Sequence, residues 1–231
     1  MASPALSELG PLIWPTSILL PMMAALLVAA PVFIQAPWVR AAPMAATLFT
    51  VPLVGLALLL ERRGQGIWQE LGVLLVGFSG SWLAGCLFWG WLRLHPALHL
   101  PVEAFALPLA VAGLGGRWRL AGSFYLSSLL GTAATDATMA ISGLIDLWPR
   151  VLEAPLEEAP LLLQNAAQSV LAPGPLTAVV MIGALLLGIS AQLWKSGRIG
   201  QVGAATLATT LAVDGLFLGA ALVAPRLSGL L

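Results

Sequence analysis

Seven long stretches of the sequence carry almost no charge, and short polar loops separate them. An α-helix needs about 20 mainly apolar residues to cross the hydrocarbon core of a bilayer. The sequence therefore predicts an all-α bundle of about seven transmembrane helices, which forms one domain over residues 1–231. The predicted spans are 15–35, 41–60, 69–92, 101–115, 123–147, 174–194 and 200–225. The fourth stretch is short and contains Pro108, so a kinked span and a re-entrant segment both stay open.

The composition supports a membrane protein and excludes several other classes. Apolar residues make up 59% of the chain and charged residues 9%, whereas soluble domains have roughly 45–50% and about 25%. The net charge is zero, so no basic field is available to hold nucleic acid. A single cysteine, Cys86, allows neither an intrachain disulfide nor a multi-cysteine metal site. The first ten residues contain no lysine or arginine ahead of the first apolar stretch, so we expect a retained first span rather than a signal peptide.

The distribution of cations over the loops predicts an orientation. We call the side of the N-terminus side A and the opposite side B. Side A receives six cations, which are Arg62, Arg63, Arg117, Arg119, Lys195 and Arg198. Side B receives four, which are Arg40, Arg93, Arg150 and Arg226. Since cytoplasmic loops carry the excess of lysine and arginine, side A and the N-terminus are predicted to be cytoplasmic or stromal. Tryptophans mark both interfaces, with Trp14, Trp68, Trp118 and Trp194 at side A and Trp38, Trp89, Trp91 and Trp148 at side B.

Two further patterns concern the surface of the bundle. Residues 153–173 mix acidic, amide and leucine side chains, which predicts a short interfacial helix at side B, with a solvated loop as the alternative. Small residues at four-residue spacing predict close helix packing inside the bundle, with a homo-oligomer as the alternative. They are Gly77, Ser81 and Gly85 in span three, Ala184 and Gly188 in span six, and Gly215 and Gly219 in span seven.

Two aspartates lie deep inside predicted spans, where insertion of a charge costs about 2.5–3.5 kcal/mol. Asp136 and Asp214 are each roughly 20 Å from the side-A end of their span, and both spans run in the same direction. Thr132 and Thr210 precede them by four residues and so share their helix faces. The pattern predicts one midplane polar site formed by these four residues, which could share a proton, bind a cation or accept donors from a solute. The alternative is that each carboxyl group only fixes helix packing.

A second polar group is predicted at side B. Its members are Gln35, Arg40, Arg93, His95, His99 and Glu103. Pro96 and Pro101 interrupt the helix that the two histidines would share, which disfavours a metal site. We interpret the histidines as interfacial side chains and predict no cofactor, with a pigment or a quinone as the alternative ligand. Glu103 is explained locally, because Pro101 would place it in the positive first turn of a helix.

Known intramembrane enzymes match the sequence poorly. "GFSG" at 77–80 is similar to the G-x-S-G of rhomboid proteases, but Ser79 would lie roughly 24 Å from His95 along one helix. "LAVDG" at 211–215 lacks the glycines of the G-x-G-D in presenilin-type proteases. The sequence also contains no phosphate-binding loop and no H-E-x-x-H. We therefore expect a protein that is not an enzyme.

Several strings resemble a family of polytopic membrane proteins from cyanobacteria that is defined as a domain of unknown function. They are "PVFIQAPWVR", "SWLAGCLFWGWLR", "HLPVEAFALP", "FYLSSLLGTAATD" and "VDGLF", and they extend over residues 31–217. The resemblance implies a photosynthetic host and a thylakoid or plasma membrane, but it transfers no catalytic residue.

Two functions are consistent with these patterns. The first is binding or translocation of a small solute or ion through the midplane site. The second is an accessory or assembly role in a photosynthetic membrane complex, in which the side-B group contacts the partner.

Overall fold

A computed structural model describes residues 16–227, and within that range it contains helices and turns but no strand. The predicted boundary tryptophan Trp14 lies outside the described residues. The α-helices are α1 (Thr16–Ala41), α2 (Pro43–Leu48), α3 (Thr50–Arg63), α4 (Ile67–Leu87), α5 (His99–Glu103), α6 (Leu107–Gly113), α7 (Arg119–Ile141), α8 (Leu144–Glu153), α9 (Ala159–Val170), α10 (Pro173–Lys195) and α11 (Arg198–Val223). A π-helical turn, Phe88–Leu92, continues α4, and 3-10 turns lie at Pro96–Leu98, Ala104–Ala106 and Pro225–Leu227.

Six helical stretches of the described residues are long and apolar enough to cross a membrane. They are Ile18–Ala41, Pro43–Arg63, Ile67–Leu92, Pro96–Gly113, Pro173–Lys195 and Arg198–Val223. These stretches correspond to six of the seven predicted spans, although the first extends six residues beyond its predicted end and the second is divided at Phe49 into α2 and α3. The predicted all-α polytopic bundle is therefore confirmed.

The remaining predicted span, the fifth at residues 123–147, is wrong in its extent. Helix α7 ends at Ile141, and Gly143 has a φ of 71° in the left-handed region that commonly terminates helices. Helix α8 begins directly afterwards, so Asp146 belongs to a separate helix. Because α7 also carries Asp136 and several hydroxyl groups, it is less apolar than the six stretches above.

Ion pairs at one end of the bundle show how far α7 extends. Arg117 lies 3.3 Å from Glu61, and Arg198 lies 2.7 Å from Glu70. The two glutamates flank the turn between α3 and α4, so α7 and α11 both start at this end, which is the predicted side A. Helix α10 runs from the opposite end to Lys195, and the chain reaches its start through α7, α8 and α9. Helix α7, about 34 Å long, therefore runs from side A to side B, packed against α4 and α11.

The fourth predicted span is a broken helix. Helix α5 ends at Glu103, a 3-10 turn follows, and α6 begins at Leu107. Tyr125 of α7 lies at the break, where its hydroxyl group accepts the N–H of Ala106 at 3.2 Å and donates to the carbonyl oxygen of Glu103. Backbone groups freed inside a membrane protein need such partners. The tyrosine thus makes the break compatible with burial.

The three predicted ridges of small residues have different surroundings. At Gly77 a β-carbon would lie 2.5 Å from the carbonyl oxygen of Ala121, so the glycine allows α4 and α7 to approach closely. At Gly188, Gly215 and Gly219 an added β-carbon would have no neighbour within 4 Å among the described residues. Among the glycines of the three predicted ridges, those of α4 are therefore the closely packed ones.

Residues 153–173 contain the predicted short helix, which is α9. One face of α9 is buried against α8 and α11 and includes Leu163, Ala166 and Val170. Gln164 Nε2 donates to the carbonyl oxygen of Leu222 at 2.7 Å, which ties α9 to the end of α11.

Candidate functional site

A cavity of about 660 Å³ lies between the helices toward side B. Its walls are mainly apolar and aromatic, with contributions from α1, α4, α7, α10 and α11. Six charged or titratable side chains line it, and they are Arg40, Arg93, His99, Glu103, Asp136 and Asp214. The cavity therefore combines a largely apolar enclosure with a small number of ionisable groups, as ligand pockets do.

His99 lies between two carboxyl groups. Its Nδ1 is 2.9 Å from Asp136 Oδ1, and its Nε2 is 3.4 Å from Glu103 Oε1. The three side chains are only 17–18% exposed. Phe88 of the π-helical turn covers the imidazole, with ring centroids 4.2 Å apart. We call His99, Glu103, Asp136 and Asp214 the imidazole–carboxylate cluster.

Two threonines of α7 donate to carboxyl groups on other helices. Thr132 Oγ1 lies 2.6 Å from Glu103 Oε2, and Thr135 Oγ1 lies 2.6 Å from Asp214 Oδ2. The cluster is therefore assembled from α5, α7 and α11, with α7 as the central element.

The four residues of the predicted midplane site all line the cavity, but neither threonine donates to the aspartate that follows it by four residues. Thr132 donates to Glu103 rather than to Asp136, and Thr210 donates to the carbonyl oxygen of Thr206 at 3.1 Å. The four-residue spacing does place Thr132 and Asp136 on one face of α7. That face lies against other helices, whose carboxyl groups are within reach of the hydroxyl hydrogens.

The two aspartates lie at the same depth in the membrane, as predicted, but that depth is not the midplane. Asp136 lies about 26 Å along α7 from Arg119, and Asp214 lies about 24 Å along α11 from Arg198. They share one level and line one cavity, as expected. However, Asp136 is only about 8 Å from the side-B end of α7, because α7 ends at Ile141. Asp214 lies about 14 Å from the side-B end of α11, so the site is displaced from the midplane toward side B but does not reach that interface.

The predicted side-B group merges with this site except at one residue. Gln35, Arg40, Arg93, His99 and Glu103 line the same cavity as the two aspartates. His95 is not among the lining residues and lies before the 3-10 turn that starts at Pro96, so the predicted separation of the histidines is present. The local explanation for Glu103 is wrong, since Glu103 is the last residue of α5 rather than part of its first turn.

Gln35 has a structural contact as well as a place in the cavity wall. Its Nε2 donates to the carbonyl oxygen of Trp82 at 2.6 Å and contacts Cys86 Sγ at 3.0 Å. The buried amide therefore links α1 to α4.

Two residues with clear roles at the site, Thr135 and Tyr125, were not predicted from the sequence. A pattern could have identified Thr135, because Ser128, Thr132, Thr135 and Met139 recur at the 4-3-4 spacing of one helix face. All four residues line the cavity. No local pattern indicates the role of Tyr125, since its partners lie about 20 residues earlier in the chain.

The structure also shows the surroundings of the serine in the rhomboid-like motif and the arrangement of the side chains that could bind a metal ion. Ser79 is buried, and its hydroxyl group donates to the carbonyl oxygen of Leu75 in its own helix at 2.7 Å. Within residues 16–227, no group of three or more His, Cys, Asp or Glu side chains is arranged to hold a metal ion.

Comparison with known proteins gives a family without an assigned activity. The family described as "Protein of unknown function (DUF3120)" matches residues 24–222, a range that includes the whole imidazole–carboxylate cluster. No curated protein and no solved structure matches the chain.

Proposed function

Because the chain belongs to the DUF3120 family, whose description gives no activity, we propose from its own site that it binds a small solute or ion within the membrane and translocates it. The observation that carries this proposal is the imidazole–carboxylate cluster, which three helices present to one cavity of about 660 Å³.

The cost of the cluster supports a functional role. A carboxylate costs about 2.5–3.5 kcal/mol on insertion scales at the centre of a spanning helix, and intramembrane ionisable groups commonly mark pathways for ions or substrates. A single hydrogen bond between helices would suffice to fix their packing. Here four ionisable groups converge on an open cavity whose volume falls in the range of about 300–1,000 Å³ that is typical of ligand pockets.

The broken helix supports translocation in particular. Many transporters place their binding site where a transmembrane helix is discontinuous, so that a small movement changes access to the site. Glu103 is the last residue before the break between α5 and α6, and its side chain belongs to the cluster. The site and the interruption of the helix therefore coincide.

The proposal is tested by ligand-dependent stabilisation of the purified protein in lipid nanodiscs. Thermal unfolding is recorded with alkali cations, small amines, amino acids and small carboxylates. We expect one of these classes to stabilise the native protein, by about 2.7 kcal/mol at a hundredfold excess over Kd, and to have little effect on Asp214→Asn. The stabilising compound is then tested for counterflow into proteoliposomes.

Asp146→Asn is the matched control, since Asp146 lies on α8 and does not line the cavity. The proposal is wrong if no class of compound stabilises both the native protein and Asp146→Asn more than it stabilises Asp214→Asn. Co-purification with a photosynthetic complex would then favour the accessory role in a thylakoid or plasma membrane, which the sequence resemblance to cyanobacterial proteins suggests.

A further inference from the structure

The contacts of His99 determine how many hydrogens the cluster must hold. Each of its ring nitrogens faces a carboxylate oxygen, Nδ1 facing Asp136 at 2.9 Å and Nε2 facing Glu103 at 3.4 Å. A nitrogen and an oxygen attract each other at such distances only when a hydrogen lies between them, because otherwise two lone pairs face each other. The Nδ1 contact is a hydrogen bond and needs one hydrogen. The Nε2 contact at 3.4 Å has the distance of an ion pair, which is attractive only when Nε2 carries a hydrogen on a charged ring or when the carboxyl group is protonated. The cluster holds either an imidazolium between two carboxylates or a neutral imidazole with one carboxylic acid.

The surroundings favour a positive charge on the ring. The titratable groups around His99 come from three helices, namely Glu103 from α5, Asp136 from α7 and Asp214 from α11. Two aromatic rings of the π-helical turn also lie against the imidazole, Phe88 at 4.2 Å between ring centroids and Trp89 at 6.5 Å in an edge geometry. Two arginines also line the cavity, Arg40 at the end of α1 and Arg93 after the π-helical turn.

We propose that the cluster is a proton-binding site and that its proton occupancy is coupled to the broken helix between α5 and α6. This inference deepens the proposed function and rests on it, because it makes the proton the coupling ion of translocation. In the release step the Nε2–H bond breaks, its electron pair stays on Nε2, and the proton passes to water in the cavity. Nε2 and Glu103 Oε1 then face each other with lone pairs, and this contact opens.

The structure connects that opening to the backbone. The Nε2 contact is the longer of the two contacts of His99, so it is the weaker one. Glu103 is the last residue of α5, and its carbonyl oxygen accepts the hydroxyl group of Tyr125, which also holds the N–H of Ala106. Displacement of Glu103 therefore loosens the stretch from Ala104 to Leu107.

The chain allows a direct test, because it contains only two histidines. In His95→Gln, purified without a histidine tag and labelled with [15N]histidine, His99 gives the only imidazole resonances. Because two carboxyl groups stabilise the charged ring, solid-state 15N NMR in bilayers follows its hydrogens from about pH 5 to about pH 10.5, well beyond the range in which an ordinary imidazole titrates. Hydrogen–deuterium exchange of residues 104–107 is measured on the same protein and corrected for the intrinsic dependence of exchange on pH.

We expect two N–H groups on His99 at the acidic end and the loss of one as the pH rises. Corrected exchange of residues 104–107 should increase about tenfold over the same pH interval, because a local opening becomes easier. In Glu103→Gln the side-chain amide can donate to the neutral ring, so the contact persists without the second ring hydrogen and exchange should no longer depend on pH. Asp146→Asn, added to His95→Gln as a control, should behave like His95→Gln alone.

The proposal is overturned if His99 keeps the same hydrogens throughout, or if it loses one while exchange of residues 104–107 stays constant. Neither measurement uses a ligand, so the outcome is separate from that of the ligand experiment. A bound ligand together with a pH-independent His99 would leave the proposed function and remove the proton site. A coupled transition without any ligand would leave the proton site and remove translocation.

Discussion

Hydroxyl groups of α7 determine which partners the carboxyl groups of the cluster have. Thr132 and Thr135 each donate across a helix boundary at 2.6 Å, whereas Thr210 donates to its own helix. Hydrogen bonds between transmembrane helices contribute about 0.6 kcal/mol on average and up to about 1.7 kcal/mol. Each hydroxyl donor of α7 therefore contributes only modestly to the stability of the protein. Such weak hydrogen bonds are compatible with a site whose contacts change during translocation.

Replacement of Thr135 tests this assignment. In Thr135→Val, Asp214 loses its hydroxyl donor, and we expect a loss of about 1 kcal/mol in the free energy of unfolding. Reversible unfolding in mixed micelles measures the change. Thr210→Val is the matched control, because it removes a hydroxyl group that bonds only within α11, and it should cost less. A larger effect of Thr210→Val would contradict the cross-helix assignment.

The hydroxyl group of Tyr125 has two backbone partners at the break between α5 and α6. In Tyr125→Phe the carbonyl oxygen of Glu103 and the N–H of Ala106 both lose their partner, so we expect a loss of about 1–3 kcal/mol and faster amide exchange at Ala106. Ser123→Ala provides the comparison, since it removes a hydroxyl group of α7 that donates to Ile199 far from the break. Equal exchange at Ala106 in the two variants would argue against the tyrosine as the support of the break.

At the scale of the elements, sequence reasoning predicted which segments are helical better than where they are interrupted. The fourth segment was recognised as weak from its length and Pro108, but the break lies at Ala104–Ala106, where a tyrosine from another helix satisfies the backbone. Such a distant partner cannot be inferred from local sequence. The end of α7 could have been predicted, since Gly143 is a typical helix terminator, but the apolar residues around it masked that feature.

The close approach of α4 and α7 also yields a prediction. In Gly77→Ala the new methyl group would meet the carbonyl oxygen of Ala121, so the helices must separate, and we expect a loss of about 1–3 kcal/mol. Thermal unfolding in nanodiscs measures it. Gly215→Ala adds the same methyl group where nothing lies within 4 Å, and it should be neutral or stabilising. A comparable loss in both variants would show that packing at Ala121 is not the cause.

At the scale of the whole molecule, alternation of the spans across the membrane predicted correctly at which end of the bundle a polar residue lies. It did not predict which polar residues are in contact. The predicted side-A residues Arg117 and Arg198 do meet the glutamates that flank the α3–α4 turn. By contrast, the contact of His99 with Asp136 depends on how α5 lies against α7. The shared depth of the two aspartates was therefore predictable, because it follows from counting residues along each span. The contacts between helices were not, because they depend on how the helices are arranged in the bundle.

The same alternation makes a prediction for α7, which is the least apolar of the long helices. Because α7 runs from side A to side B, Gly116 before it and Glu157 after α8 should lie on opposite sides of the membrane. Gln65, in the α3–α4 turn, should share the side of Gly116. Single cysteines at these three exposed positions, in a Cys86→Ala background, are treated with a membrane-impermeant maleimide in intact cells and again after lysis.

We expect only Glu157→Cys to react in intact cells, because the excess of arginine and lysine in the side-A loops predicts that side A is cytoplasmic. Reaction of Gly116→Cys and Gln65→Cys instead, with Glu157→Cys protected, would reverse the orientation but keep seven crossings. Equal labelling of Gly116→Cys and Glu157→Cys would mean that α7 does not cross the membrane. The cluster would then lose its central helix as a membrane-spanning element, which would contradict the proposed translocation.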